Sequence, residues 1–409
     1  MRLRRPAAAT AAVEAPVVTD RLFTETLLAA VGEDLLSTRL STDVVFADLG
    51  AETVRPLLTF DALNDILARC ALEPPRLRLH RKGAPVPAAR YTDSGSTSGA
   101  ERAVIRPDGL YRELREGASL VLDAVDRLHT PVQEATDDLM RLVRERAQVN
   151  LYLIWGDSHG FDTHWDDHDT FIVQVEGTKS WQVHGPGTRP HPMKVDSDHG
   201  HSPPEGTVWE GVLSPGHVLH VPRGWWHTVK GTGDVSMHLT FGFTRATGID
   251  WARSVLERLY DVDFFRTDLP RFDSAEERRK HQHELIRRLV DVAEQHDLDG
   301  FLEEHDSRFP RRQSFALPWA VDGATPQAET RVEFVPILPP PMQREGEQVA
   351  VTVSGKRYRL PAAAEPVLAE LARRPRTTAG ELAEDSGTPL ETTAAVLRAL
   401  VRHQLVLLR

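Results

Sequence analysis

The hydrophobic pattern changes period along the chain. Between residues 109 and 148, Leu110, Leu114, Leu120, Leu122, Val125 and Leu128 are followed by Leu139, Leu142 and Val143. This spacing predicts two helices divided by Pro131. From 149 to 245 the period shortens toward alternation, punctuated by Gly and Pro. Phe171-Ile172-Val173-Gln174-Val175-Glu176-Gly177 reads as a strand running into a turn. Lys179, Trp181 and Val183 share one face of a second strand, and Gly216-His217-Val218-Leu219-His220-Val221-Pro222 is a short β run ending in a Pro/Gly turn. Many short strands at this spacing predict a sandwich or barrel.

The flanking regions are mainly helical. Asp20 is positioned to cap a helix over 22–28 and Asp61 one over 62–67, while Leu77 and Leu79 mark one face of a strand. Asp93-Ser94-Gly95-Ser96-Thr97-Ser98-Gly99 reads as a flexible loop, and no Lys-Ser/Thr follows it to make a phosphate cradle. Residues 249–308 are helical and highly charged, with one apolar stripe of Trp251, Val255, Leu256, Leu259 and Tyr260 and another of Leu285, Leu289 and Val292. Prolines over 318–348 predict a linker. Beyond it, a hairpin of 349–353 and 356–360 turns at Ser354-Gly355, then come helices over 362–373, 379–384 and 391–401 and a last strand over 405–407. That is a winged-helix order. The division predicted is a disordered tail over 1–18, a core with a helical N-terminal elaboration over 19–248, a helical region over 249–317, a linker over 318–348 and a winged helix over 349–409.

Composition narrows the function. A chain of 409 residues with 40% hydrophobic and 27% charged residues suits a soluble protein of two or three domains. A net charge of -11 argues against a general nucleic-acid binder. The last helix of the winged-helix segment offers only Arg398 and Arg402 as exposed bases, which is little for phosphate neutralisation. The single cysteine, Cys70, forms no internal disulfide and suits a reducing, cytoplasmic setting. Pro6, Thr10 and Glu14 interrupt the apolar character of the N-terminal stretch, against a signal peptide, and no apolar run reaches the length of a membrane span.

The chemistry lies in Thr163-His164-Trp165-Asp166 and Pro222-Arg223-Gly224-Trp225-Trp226-His227. In an extended strand residues i and i+2 point to one face, so His164 and Asp166 project together. His227 joins them from a returning strand. Two His and one carboxylate with other positions open make the facial triad of non-haem Fe(II) oxygenases. Among 18 histidines an H-x-D alone is weak, and the neighbouring strands and turns give it context. The insert over 184–212 contains His184, His191, His199 and His201 at irregular spacing without cysteine. It reads as a mobile loop bordering the site mouth rather than a metal store.

Asn150-Leu151-Tyr152, His164-Trp165-Asp166-Asp167, Glu176-Gly177-Thr178-Lys179-Ser180-Trp181, Val221-Pro222-Arg223-Gly224-Trp225-Trp226-His227 and Met237-His238-Leu239-Thr240 together resemble the JmjC/cupin-type ribosomal oxygenases. These are 2-oxoglutarate-dependent protein hydroxylases. The resemblance covers 110–245 well and extends to the C-terminus through domain order. It implies an α+β chain with a double-stranded β-helix core (jelly-roll, cupin, JmjC-type), a helical dimerisation region giving a homodimer, and a C-terminal winged helix that binds protein. It further implies Fe(II) held by His164, Asp166 and His227, with 2-oxoglutarate and O2 as co-substrates. By the same resemblance Lys179 pairs with the distal carboxylate of 2-oxoglutarate and Asn150 hydrogen-bonds the co-substrate. Tyr152, on the same face, offers its phenol, and Thr240 lies beside them on the last core strand.

The implied substrate is a polypeptide, either a ribosomal protein or a small biosynthetic peptide. Trp165 stands where the family often has Tyr, Trp226 adds a second aromatic, and Asp167 offers a carboxylate to a basic side chain, so these three are candidate substrate contacts. Other readings are a catalytically silent cupin that binds a partner, N-methyl demethylation by the same hydroxylation chemistry, and a zinc hydrolase, which leaves Lys179 without a role.

Overall fold

The computed structural model describes residues 22–97, 100–157, 161–189, 191–196 and 202–409. The expected tail over 1–18, the Asp20 cap, His199 and His201 lie outside the described residues.

The chain begins with α1 (Leu22–Val31), β1 (Val45–Asp48), α2 (Ala51–Val54) and α3 (Phe60–Arg69). Thr59, rather than Asp61, caps α3, its Oγ1 accepting from Ala62 N at 3.2 Å; Asp61 falls inside the first turn, where a carboxylate favours the helix dipole. Then come β2 (Leu77–Arg81), β3 (Ala84–Pro85), β4 (Thr92–Thr97), β5 (Ala100–Ile105), α4 (Pro107–Arg115), β6 (Ser119–Leu122) and α5 (Thr130–Val143). Two expectations change here. The expected loop over 93–99 is largely the hairpin β4–β5, although residues 98 and 99 are not described. Leu120 and Leu122 belong to a strand, and Pro131 starts α5 in its first turn. All four residues of β6 are buried, so both faces are covered and no alternation betrays a strand.

The strands that build the site are β7 (Ala147–Ile154), β8 (Asp169–Pro186), β9 (Trp209–Leu213), β10 (His217–Val221) and β11 (Trp225–Phe243). They join β1, β2, β3 and β6 in a nine-stranded sheet of order β1-β10-β8-β11-β7-β6-β2-β3, with β9 pairing β8. β8 and β11 pair antiparallel along nearly their whole length, with register shifts after Trp226, Gly231 and Met237. Extra residues at such bulges bend and twist the pair. Gly177 is required at one of them: its φ is +62°, and a Cβ there would lie 1.7 Å from the Val235 carbonyl oxygen. Phe171, Phe241 and Phe243 are buried between the sheet and the N-terminal helices, and Phe23 stacks on Phe241 at 5.5 Å. Each such side chain contributes about 1.5–3 kcal/mol by leaving water.

Next come α6 (Gly248–Arg258), α7 (Ala275–Gln295) and α8 (Leu298–Ser307). Thr247 with Asp250, Ser274 and Asp297 cap them. The first expected stripe splits: Val255 and Leu259 are buried, whereas Leu256 and Tyr260 are exposed. α7 contains no buried residue.

The C-terminal region comprises α9 (Leu317–Asp322), β12 (Arg331–Phe334), β13 (Met342–Glu345), β14 (Gln348–Val353), β15 (Lys356–Pro361), α10 (Ala364–Arg373), β16 (Arg376–Thr378), α11 (Ala379–Asp385), α12 (Leu390–Arg402) and β17 (Val406–Leu408). Residues 318–348, read as a linker from their prolines, supply β12, which pairs β16 and β17, and β13, which pairs β14. The region has its own core around Val349, Val367, Leu368, Leu397 and Leu400. Just before this region Arg312 reaches Asp126 at 2.9 Å and Asp137 at 2.6 Å, and within it Arg376 of β16 reaches Glu134 of α5 at 3.1 Å. No helix among the described residues is long and apolar enough to cross a membrane.

Candidate functional site

His227 enters on β11 and His164 on the irregular segment before β8. Their main chains exchange two hydrogen bonds, His164 N to His227 O at 3.1 Å and His227 N to His164 O at 2.8 Å. This isolated bridge replaces the regular strand expected at 164–166. Asp166 is held by its own carbonyl, which accepts from Gly224 N at 2.8 Å.

The side chains converge. One ligand atom from each of His164, Asp166 and His227 lies within 4.8 Å of the others, the one such group of His, Cys and carboxylates found among the described residues. His164 Nδ1 is 2.8 Å from the Asp162 carbonyl and His227 Nδ1 is 3.1 Å from the Trp225 carbonyl. A carbonyl only accepts, so each Nδ1 carries a proton and Nε2 is the ring nitrogen left to ligate. This backbone support is what orients metal-binding imidazoles. Burial, then the neighbouring His164, pushes the His227 imidazole down to about 4, so it is neutral and ready to ligate at neutral pH. Trp181 stacks on His227 with centroids 5.7 Å apart.

A second set lies on β7, β8 and β11. The register places Asn150 opposite Thr240 and Tyr152 opposite His238. Lys179 is buried, and its Nζ lies 3.3 Å from His238 Nδ1. No carboxylate among the described residues forms an ion pair with Lys179, and burial pushes its ammonium down to about 7. Burial, then nearby Asp166, raises the Tyr152 phenol far above its usual range, so it is a neutral donor. Asn150 Oδ1 accepts from Ala124 N at 3.1 Å and Gln148 Nε2 at 3.0 Å, and its side chain also hydrogen-bonds Tyr152. The structure therefore gathers His164, Asp166, His227, Lys179, Asn150, Tyr152 and Thr240 around one region.

A cavity of about 1130 Å3 opens from it. Asn150, Tyr152, Asp166 and Thr240 line it, together with Arg311 and Gln313 from the segment after α8. Trp165, Asp167 and Trp226 are half-buried and are not among the cavity's lining residues. The Asp167 carboxylate meets His168 Nδ1 at 3.0 Å, a hydrogen bond that lowers its pKa. The Trp226 indole packs against Gly187 in the insert, where a Cβ would come within 2.6 Å of Nε1. His184 ties that insert down, with Nδ1 3.0 Å from Gly206 O and Nε2 2.8 Å from Thr228 Oγ1. His168 was not singled out by the sequence. It lines the cavity because residue 242 is Gly; a Cβ there would lie 2.6 Å from its ring.

Residues 126–250 match the JmjC domain family. "Ribosomal oxygenase 1" of Bos taurus is 30% identical over 227 residues, covering 51% of this chain and 34% of that protein, and the Homo sapiens protein of the same name is 29% identical over 227 residues, covering 51% and 35%. "Bifunctional lysine-specific demethylase and histidyl-hydroxylase NO66" of Caenorhabditis briggsae is 31% identical over 165 residues, covering 38% and 20%. The chain spans about a third of the length of the first two relatives. Among solved structures, ycfD of E. coli superposes with a TM-score of 0.54 at 18% identity, covering 92% of this chain and 97% of that one. YcfD with cobalt and 2-oxoglutarate gives 0.51 at 17% identity with the same coverage. The shared fold is the JmjC/cupin fold with mixed helices and sheet.

Proposed function

Residues 126–250 match the JmjC domain family, and from that premise we propose that the protein is an Fe(II)- and 2-oxoglutarate-dependent dioxygenase that hydroxylates a side chain of a polypeptide. The observation that carries the reading is the donor set. Two imidazoles, each anchored through Nδ1 to a backbone carbonyl, converge with one carboxylate within 4.8 Å, and the same sheet buries a lysine that has no acidic partner among the described residues. A hard or borderline divalent metal fits such nitrogen and oxygen donors, and an anionic co-substrate fits the lysine.

His164, Asp166 and His227 would hold Fe(II). The bound metal supplies the chemistry that converts 2-oxoglutarate and O2 to succinate and CO2 while one oxygen atom enters a substrate C–H bond. The chain's own groups bind and orient. Lys179 neutralises the distal carboxylate of 2-oxoglutarate, Tyr152 donates its phenol, and Asn150 holds Tyr152 in place. Thr240 and His168 border the cavity through which a polypeptide reaches the metal. The hydrophobic wall of Trp181 keeps water from the back of His227.

The region 249–308 serves as a dimerisation module in this reading. Leu256, Tyr260, Leu269, Phe272, Ile286 and Val290 are exposed there, which suits burial by a second copy. The C-terminal region, with helices α10, α11 and α12 and the hairpin β14–β15, is read as a winged helix that holds substrate protein. The relatives called ribosomal oxygenases make a ribosomal protein the first substrate to test, in a cytoplasmic setting consistent with the lone Cys70.

The test incubates the protein with Fe(II), O2, 2-oxoglutarate and a pool of ribosomal proteins, followed by mass spectrometry of the pool. A one-oxygen mass gain on one protein, dependent on 2-oxoglutarate, is expected. No gain on any ribosomal protein removes that substrate class and points to small peptides.

A further inference from the structure

Lys179 and His238 are brought together by the bend of the sheet rather than by direct pairing. Lys179 faces Gly231 across the β8–β11 ladder and His238 faces Gln174, yet Nζ and Nδ1 are 3.3 Å apart. Register shifts after Gly231 and Met237 lie between the two pairings. Both side chains are buried.

An ammonium has three donors and no acceptor. When Lys179 is charged, His238 Nδ1 must therefore accept, which makes the imidazole neutral with its proton on Nε2. The ring is clamped in that orientation. Tyr152 lies parallel to it, with centroids 5.0 Å apart and planes 7° apart, and Trp181 meets it edge-on at 5.7 Å and 75°. The partner's charge matters as much as its place. A carboxylate here would pair with Lys179 and cancel the charge that an incoming anion needs. A neutral acceptor takes one N–H and leaves that charge unspent.

We infer that His238 is a positioning residue: its neutral imidazole accepts one Lys179 N–H and aims the remaining ammonium donors at the distal carboxylate of 2-oxoglutarate. This rests on the proposed role of Lys179 as the anchor of that carboxylate.

The experiment titrates 2-oxoglutarate into the full-length, Mn(II)-loaded protein by calorimetry, with Mn(II) affinity and thermal unfolding measured alongside. His238→Leu removes the acceptor, and the Kd for 2-oxoglutarate rises about tenfold or more while Mn(II) affinity holds. His238→Asn offers a carbonyl oxygen near the Nδ1 position and retains affinity within about threefold. His238→Asp has the same shape with a negative charge and loses at least about tenfold, because it neutralises Lys179. In a Lys179→Ala background, His238→Leu causes no further weakening. If wild type binds 2-oxoglutarate and His238→Leu binds equally well, the inference is overturned. If His238→Leu does not fold, equal affinities for His238→Asn and His238→Asp overturn it. Failure of wild type itself to bind 2-oxoglutarate instead overturns the functional reading beneath it.

Discussion

His164 and His227, from segments far apart in sequence, are locked to each other by two main-chain hydrogen bonds of 3.1 and 2.8 Å. Their ring centroids are 4.4 Å apart, so the two imidazoles are placed by backbone before any metal arrives. Asp166 then supplies the only charge among the three ligands. Asp166→Ala is expected to fold, because its backbone bond to Gly224 does not use the side chain. Its affinity for Mn(II), measured by titration, falls at least about 10–100-fold, since losing a ligand costs no less than losing a supporting contact. Unchanged affinity contradicts the assignment of Asp166.

Lys179 makes co-substrate binding depend on pH. Burial holds its pKa down at about 7, and it must be charged to bind an anion. Below that pH the ammonium is already present. Above it, binding takes up a proton, and apparent affinity for 2-oxoglutarate falls about tenfold for each pH unit. His238 stays neutral over this range because burial, then Lys179, pushes it well below the usual imidazole value. Calorimetry at pH 6.5 and 8.5 checks the sign, and tighter binding at the higher pH contradicts it.

The same burial costs stability in the unliganded protein. Between the folded pKa of about 7 and the unfolded value of about 10.4, the unfolded chain binds the proton that the native state has lost. Stability from this group therefore rises with pH through that window. Lys179→Met removes the cost and is expected to raise the urea midpoint of the unliganded protein at pH 7 while weakening 2-oxoglutarate binding. A lower midpoint contradicts the account of Lys179 as a residue held against its own desolvation.

Arg312, between α8 and α9, links the C-terminal half to the N-terminal half through two buried carboxylates. Its side chain is 18% exposed, and its two partners, Asp126 and Asp137, are 3% and 9% exposed. Asp126 also accepts from Val149 N at 3.1 Å, next to Asn150. Arg312→Ala leaves both carboxylates buried without this cation, and a loss on the order of 3–5 kcal/mol in urea unfolding is expected. A change below about 0.5 kcal/mol contradicts a structural role for the link.

The amount of this architecture visible in the sequence varied by residue. The triad was legible because its ligands are chemically distinctive and Gly224 marks a turn beside His227. Asn150 entered through the family resemblance of Asn150-Leu151-Tyr152, and two-residue alternation put Tyr152 on the same face. The strand β6 was hidden, since Leu120 and Leu122 are buried along with their neighbours and merge with flanking helical leucines. β12 and β13 were hidden among prolines, whose effect depends on which strand edge they meet. The contact between Lys179 and His238 follows from bulges in β11, and no local pattern specifies how far a bend carries a side chain. The loss of regular strand at Asp166 follows from its tie to Gly224, a contact made across the fold.

Exposed apolar residues on the helical region give a further expectation. Phe272 and Tyr260 are 95% and 78% exposed. Light scattering of the wild type at micromolar concentration is expected to give twice the 45.7 kDa chain mass, and Tyr260→Asp with Phe272→Asp to give a single chain. A wild-type monomer contradicts the dimer.

The central claim is that His164, Asp166 and His227 support 2-oxoglutarate turnover. The measurement is succinate released by the wild type and by Asp166→Ala, each with Fe(II), O2 and 2-oxoglutarate. Fe(II)-dependent succinate is expected from the wild type and none above background from the variant. Equal succinate from both, or none from an iron-loaded wild type given any polypeptide pool, contradicts it.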